Sequence, residues 1–307
     1  MKVRFPQLAV TALVLLLTAT PVLSDALQIR VASATTIENS GLYGAILPAF
    51  EKQTGINVRI QSVGTGQAIR MARSGDVDIL LGHHKPSEHQ FVMDGFGVER
   101  FNLMYNDFVL VGPSDDPAGV RHTKDIHKAF ERIARNKSKF ISRADDSGTH
   151  LKEQSIWQDL SNDVSKASGS WYLETGANMG AALRIADGLG AYTLSDRGTW
   201  LKYAERLELK MLLKGDPYLF NQYGVVLVNP DAHPHTNTQA ATIFVQWLLS
   251  DNGQSAINSY RIGDKQAFFA NAKLTESKEF RWDAHLDQGD QQRIDLSYFI
   301  KFPNFDF

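Results

Sequence analysis

The chain has 307 residues, 32 of them basic and 34 acidic, for a formal net charge of −2 at pH 7. This balance gives no basic footprint for nucleic acid, so we expect no nucleic-acid partner. The absence of cysteine excludes disulfides, thiol catalysis and lipidation of an N-terminal cysteine. The length and the 43% hydrophobic content are sufficient for one large core or for two lobes.

The N-terminus has the layout of a secretory signal peptide. Lys2 and Arg4 precede an apolar run over residues 8–17, and Pro21 and small residues follow. The run is too short for a stable membrane-spanning helix. We therefore predict that residues 1–24 are a cleaved signal peptide, and export without disulfides indicates a bacterial periplasm. A signal anchor is the alternative.

The first part of the chain repeats the order strand, hydroxyl-rich turn, helix. Strands are predicted over 28–33, 57–63 and 78–81, with helices between them that end near Gly55 and before Gly75, and with Asn39-Ser40-Gly41 as the cap of the first helix. Alternating strands and helices with short links predict an α/β fold with a mainly parallel sheet covered by helices. Ligands of such sheets bind beyond the carboxyl ends of the strands, where both turns lie.

Breaker-rich segments predict two hinge crossings between lobes. A strand over 107–111 runs into Gly112-Pro113, and Gly215-Asp216-Pro217 precedes a strong strand over 223–228. Between them we predict helices over 123–135, through Trp157 and over 178–187, and strands over 140–142, near Trp171 and over 191–194. We expect 25–107 and 223–272 to form lobe one and 108–222 to form lobe two. Residues 273–307 are a C-terminal extension of unassigned role, which either packs on lobe one or docks a partner.

The segment from Ser142 to Glu153 has the chemistry of an oxyanion cradle. Arg143 offers a planar fork of donors, and Ser147 and Thr149 offer hydroxyls around a glycine that opens a helix. The first free amides of that helix point the same way. Two further hydroxyl-rich turns are Ser33-Ala34-Thr35-Thr36 and Gly64-Thr65-Gly66-Gln67. Three such turns suggest a protein that binds a small anion through donors alone.

These strings, in this order, resemble the tungstate-binding periplasmic components of ABC transporters, the TupA type. The resemblance runs from about Ile29 to Phe269 and includes Glu38–Leu42, Ser62–Gln67, Met104–Phe108, Ser142–Glu153 and Gly190–Trp200. It implies a type II periplasmic binding fold, in which two lobes hold the anion between them. It also implies an ABC transporter permease as partner, and we expect the chain to be a monomer.

The resemblance carries oxyanion binding onto individual residues. The family's hydroxyl-rich turn, usually threonines followed by serine, falls on Ser33-Ala34-Thr35-Thr36, where Ala34 replaces one hydroxyl. Arg143 and Thr149 match the cradle, and Thr65 matches the second turn. The predicted ligand-binding residues are Ser33, Thr35, Thr36, Thr65, Arg143, Ser147 and Thr149.

The expected ligand is a tetrahedral metal oxyanion, tungstate or molybdate, with no cofactor and no metal ion bound as such. Residues 143–149 also resemble the cradle of periplasmic phosphate-binding proteins, so phosphate is the main alternative, and sulfate is another. Phosphate keeps a proton that a carboxylate can accept, whereas tungstate is a bare dianion. Phosphate-binding relatives have an aspartate after the third strand, where this chain has Gly82-His83-His84. We therefore predict a donor-only site, provided that Asp145 and Asp146 face away from the anion.

Four other hypotheses concern this chain. The histidines at 83, 84, 89, 233 and 235 could suggest a transition-metal site, but no cysteine and no helical His-x-x-x-His pair supports one. Asp196 and Arg197 either line the rim of the site or cap a turn. Ser147 and His150 lack a facing acid, so we predict no enzymatic activity. A receptor that presents the bound state to a sensor is the alternative to transport.

Overall fold

A computed structural model describes residues 27–272 of the chain. The predicted signal peptide and the predicted C-terminal extension lie outside the described residues. Within residues 27–272, none of the helices combines the length and the hydropathy needed to cross a membrane.

The first seven elements include the three strands that the sequence predicts, with helices between them, and end in a helix that it does not predict. They are β1 (Gln28–Ala34), α1 (Thr35–Ser40), α2 (Leu42–Thr54), β2 (Asn57–Val63), α3 (Thr65–Arg73), β3 (Ile79–Gly82) and α4 (Lys85–Met93). The predicted cap at Asn39-Ser40-Gly41 is wrong in one respect. Residues 35–40 already form a helix, and Gly41 ends it with a φ of 85° before α2 begins. Glycine suits that left-handed conformation, since a side chain there is strained.

A long strand and a second group of elements follow. They are β4 (Gly97–Gly112), α5 (Ile126–Asn136), β5 (Phe140–Ser142), α6 (Gly148–Asp159), β6 (Tyr172–Glu174), α7 (Met179–Leu189), β7 (Tyr192–Asp196), α8 (Arg197–Tyr203) and β8 (Lys210–Leu213). The chain then returns through β9 (Phe220–Val228), α9 (Thr238–Leu249), α10 (Asp251–Ser259), β10 (Arg261–Ile262), β11 (Lys265–Gln266) and β12 (Phe269–Ala270).

The strands form two groups that share β4. One group, which we call lobe one, has the order β2-β1-β3-β9-β4 with β12 also on β4; the other, lobe two, has the order β4-β7-β5-β6 with β8 also on β4. β4 pairs with β9 up to Asp107 and with β7 from Phe108 onward. β4 therefore changes its partner between Asp107 and Phe108.

Pairing is parallel within each nucleus of strands and antiparallel at the crossing strands. β1 pairs in parallel with β2 and β3, and β5 pairs in parallel with β6 and β7. β4 and β9 run antiparallel to each other, and β9 also pairs antiparallel with β3. Each lobe has its own apolar core, around Phe50 and Phe244 in lobe one and around Phe130 and Trp157 in lobe two. This arrangement leaves the facing strand ends of the two lobes free to form a site.

Candidate functional site

The three hydroxyl-rich turns meet where the lobes face each other. Parallel pairing puts the carboxyl ends of β1, β2 and β3 at one edge of the lobe-one sheet, and the turn after β5 approaches them from lobe two. A Cβ atom built on Gly64 would lie 3.2 Å from the carbonyl oxygen of Asp145. The second and third turns are therefore in close contact.

Arg143 is a deeply buried cation, with 1% of its surface exposed. Its Nη2 atom donates to Oδ2 of Asp145 at 2.5 Å and to Oγ1 of Thr35 at 3.4 Å. Its Nε and Nη1 atoms are buried and have no hydrogen-bond partner. Unsatisfied buried donors on a cation are costly, so the free edge of the guanidinium is suited to a bidentate anion contact.

Two threonine hydroxyls share this condition. Thr149 lies in the first turn of α6 and Thr65 is the first residue of α3, and both are buried. Neither Oγ1 atom has a hydrogen-bond partner. Both threonines stand at helix N-termini, where backbone amides and the helix dipole also favour an anion. The structure thus brings Thr65, Arg143 and Thr149 together as unused donors.

The turn between β5 and α6 is held by its own polar groups. The side chain of Ser147 caps α6 by accepting from the amide of His150 at 3.3 Å. Asp145 accepts from the amide of Ser147 at 3.2 Å and pairs with Arg143, so both of its oxygens are engaged. The Asp146 side chain is 83% exposed and lies near His150. Asp146 therefore faces away from Arg143, whereas Asp145 holds the guanidinium in place.

The first turn presents its three hydroxyls differently. Thr35 is half-buried and lies beside Arg143. The Ser33 hydroxyl is buried against the hydroxyl of Tyr43. The Thr36 hydroxyl lies 3.3 Å from Nε2 of His83 and 3.4 Å from Oη of Tyr223. Thus Ser33 and Thr36 have protein partners, and Thr35 is the member of this turn that faces the cradle.

Sequence reasoning did not place His83 among the ligand-binding residues, and used it only as a possible metal ligand and as part of the segment that lacks an aspartate. The ring is 7% exposed, lies 2.9 Å from Oδ1 of Asn221 through Nδ1, and stacks on Tyr223 with 4.9 Å between ring centroids. Burial, with a smaller contribution from the positive charge of Arg143, lowers the pKa of His83 to about 4. Its position directly after β3 is the signal that could have identified it, since strand ends carry the ligands in such sheets.

Asp196 and Arg197 have separate roles. Asp196 is fully buried and caps α8 by accepting from the amide of Thr199 at 2.8 Å, while its Oδ2 atom has no partner. Burial raises the pKa of Asp196, and its contact with the Thr199 amide and the charge of Arg143 lower it. Arg197 forms a two-pronged ion pair with Asp107 of β4, with 2.6 Å between Nη2 and Oδ2. Arg197 therefore ties α8 to the crossing strand.

His233 and His235 have structural partners. The rings of His233 and His235 lie 2.9 and 3.0 Å from the carbonyl oxygens of Arg73 and Gly75. Among residues 27–272, no cluster of three His, Cys, Asp or Glu side chains has an arrangement that could hold a metal ion.

Comparison with known proteins identifies the family. Residues 18–252 match the model of the PBP superfamily domain. The chain is 44% identical over 235 residues to the tungstate-binding protein TupA of Peptoclostridium acidaminophilum, covering 76% of this chain and 81% of that protein.

Two solved structures agree with this assignment and confirm the predicted fold. The tungstate-binding protein TupA from Desulfovibrio alaskensis is 40% identical with a TM-score of 0.70, covering 81% of this chain and 100% of that one. The tungstate ABC transporter structure from Geobacter sulfurreducens is 39% identical with a TM-score of 0.69, covering 76% of this chain and 98% of that one. The chain therefore belongs to the PBP superfamily and, within it, to the family of the tungstate-binding TupA proteins.

Proposed function

We propose that this chain captures tungstate or molybdate between its two lobes and delivers it to an ABC importer. The observation that carries the proposal is the buried guanidinium of Arg143, whose Nε and Nη1 donors have no protein partner. The unpartnered hydroxyls of Thr65 and Thr149 support it, because a tetrahedral dianion can accept from all of these donors at once. The names of the relatives, which are tungstate-binding proteins, point to the same ligand.

The predicted ligand-binding residues divide into two roles in this proposal. Arg143, Ser147 and Thr149 approach the anion from lobe two, and Thr35 and Thr65 approach it from lobe one. Ser33 and Thr36 hold the first turn in shape through Tyr43, His83 and Tyr223. The backbone amides at the starts of α3 and α6 add further hydrogen-bond donors. The site binds by donation alone.

The cradle offers binding and no catalysis. A serine nucleophile needs a base on its hydroxyl, but the Ser147 side chain contacts the backbone amide of His150 and not its ring. The Nδ1 atom of that ring accepts from the amide of Asp146 at 3.2 Å. The relatives are named as binding proteins, which supports the same conclusion.

The cellular setting follows from the sequence and the family. We propose that residues 1–24 are a signal peptide, that the mature chain works in the periplasm as a monomer, and that its partner is the permease of the transporter. We propose that lobe one comprises residues 25–107 and 223–272 and that lobe two comprises residues 108–222. Residues 273–307 form the C-terminal extension in this proposal. A receptor role toward a sensor remains the alternative to transport. Deletion of the permease genes separates the two roles: it should abolish uptake of the anion but leave a response through a sensor intact.

The choice of anion can be tested by calorimetry. We expect tungstate and molybdate to bind at least about 100-fold more tightly than phosphate or sulfate, a difference of about 2.7 kcal/mol. Phosphate is the second candidate because Oδ2 of the buried Asp196 has no partner and could accept its proton. Titrations with all four anions at one pH decide the matter. Absence of heat with both tungstate and molybdate would refute the proposal, and displacement of tungstate by phosphate at equal concentration would establish the second candidate.

A further inference from the structure

His83 lies where the two lobes approach each other closely. It follows β3 of lobe one, yet a Cβ atom built on Gly148 of lobe two would lie 2.6 Å from its ring atoms Cε1 and Nε2. Gly148 opens α6, between the cradle residues Ser147 and Thr149. The imidazole is therefore packed directly against the helix start that offers amides to the anion.

The hydrogen bonds around the ring fix its tautomer. Asn221 donates through Nδ2 to Oδ1 of Asn106 at 2.8 Å and to Oη of Tyr223 at 3.2 Å, so its Oδ1 is the acceptor that faces His83. Nδ1 of His83 therefore carries the proton. Nε2 is then an acceptor, which the hydroxyl of Thr36 satisfies. A second proton, on Nε2, would require the Thr36 hydroxyl to turn and accept instead of donating.

The charges near the ring act in the same direction. Arg143 and His84 both disfavour an imidazolium at this position, and burial disfavours it further. Both oxygens of Asp145 are engaged, by Arg143 and by the amide of Ser147. Asp196 caps α8 through Oδ1, and its Oδ2 atom has no partner, so Asp196 is the carboxylate against which the role of position 83 must be tested. Position 83 is thus an uncharged wall of the cleft beside a cation and a helix N-terminus.

We propose that His83 is a specificity-determining residue, whose neutral ring denies the site a carboxylate at the point where one would accept the proton of a protonated oxyanion. The proposal rests on the proposed function and extends it to a residue that sequence reasoning left outside the site. An aspartate at position 83 would face Arg143 and the amides of α6 as an internal anion. It would repel a bare dianion and would offer an acceptor to hydrogen phosphate.

Two variants of nearly equal size separate charge from packing. His83→Asn and His83→Asp both remove the ring and its contact with Gly148, but only the second adds a negative charge. Tungstate affinity and displacement of tungstate by phosphate are measured by calorimetry at pH 7.5 for both purified proteins. We expect tungstate to bind about 100-fold more weakly to His83→Asp than to His83→Asn, because two like charges brought together at a binding site repel each other strongly. We expect the preference for tungstate over phosphate to fall by at least the same factor.

Equal preferences in the two variants would overturn the proposal. Asp196→Asn is the matched control, since asparagine also caps helices, and a larger change of preference in that variant would assign discrimination to Asp196 instead. If thermal melts show that the Asn and Asp variants do not fold, His83→Gln and His83→Glu provide the same comparison. The wild-type protein tests the proposed function separately, because its failure to bind tungstate or molybdate would refute that function. If the wild type binds and the variants at position 83 keep its preference, only the role of His83 is refuted.

Discussion

The Nη2 atom of Arg143 lies 3.4 Å from Oγ1 of Thr35, so a side chain of lobe two reaches a hydroxyl of lobe one. The carboxylate of Asp145 accepts from the same nitrogen, which leaves Nε and Nη1 as the donors of Arg143 without a partner. The guanidinium therefore joins the lobes with one edge and can hold an anion with the other. Loss of Arg143 would therefore remove both the contact between the lobes and the charged donors for the anion.

Arg143→Ala should lower tungstate affinity about tenfold more than Thr35→Ala, because charge-assisted donors are roughly twice as strong as neutral ones. Arg143→Lys should also weaken binding, since an ammonium cannot reproduce two parallel donors. Calorimetric titrations of the three variants check this order, after thermal melts have shown that each is folded. Equal losses for Arg143→Ala and Thr35→Ala would contradict it.

Thr149→Val and Ser147→Ala should differ in stability. Valine keeps the shape of Thr149 and removes only its unpartnered hydroxyl, so affinity should fall about tenfold with little change in melting temperature, as hydrogen bonds to charged groups contribute about 1.5–3 kcal/mol. Ser147→Ala should weaken binding and also cost about 1 kcal/mol of stability, because it removes the cap of α6. Paired calorimetry and urea unfolding measure both quantities. A destabilised Thr149→Val protein would place its hydroxyl in a structural role.

Glu153 should make stability fall as the pH rises through neutrality. Its carboxyl accepts from Ser142, Trp157 and Tyr172, but burial outweighs these bonds and raises its pKa from 4.5 to about 7. Between those values the folded state holds a proton that the unfolded state has released, so this stabilisation is complete below 4.5 and is lost as the pH passes about 7.

Urea unfolding at about pH 5 and about pH 8 checks this slope. Glu153→Gln should reduce the difference between the two conditions. Glu174→Gln, which changes an exposed carboxyl that faces the same group, serves as the control and should retain the difference. An unchanged slope in Glu153→Gln would show that another group carries it.

His83 should remain neutral well into the acid range. Its pKa in the folded chain is lowered from 6.5 to about 4, so its contribution to stability is complete above 6.5 and is lost as the pH falls through about 4. Nuclear magnetic resonance of the ring should show no titration between pH 7 and about pH 5, in contrast to an ordinary histidine. Titration of the His83 ring near 6.5 would contradict the buried, uncharged wall.

Much of the fold could be predicted because periodicity and turn chemistry agree in the regular elements. β1, β2 and β5 begin and end within a residue or two of their predicted limits. β4 was predicted only from residue 107 because its first ten residues carry register shifts near Arg100 and Met104, which break the alternation. α1 has only six residues, too few for a helical period to show.

The candidate site was predictable where several donors lie close together in the sequence. Residues 142–149 carry the cradle in one segment, so its chemistry is visible without a structure. His83, Asn221 and Tyr223 come together only through the pairing of β3 with β9, which connects residues about 140 positions apart. The different orientations of Thr35 and Thr36 depend on tertiary contacts that one sequence does not specify.

The position of β9 between β3 and β4 also sets the order in which the chain can be completed. β9, an inner strand of lobe one, is synthesised after every strand of lobe two. The first hundred residues therefore emerge without the strand that joins β3 to β4. Domains usually fold from the N-terminus as they appear. In this chain the lobe that starts first is therefore the one that finishes last.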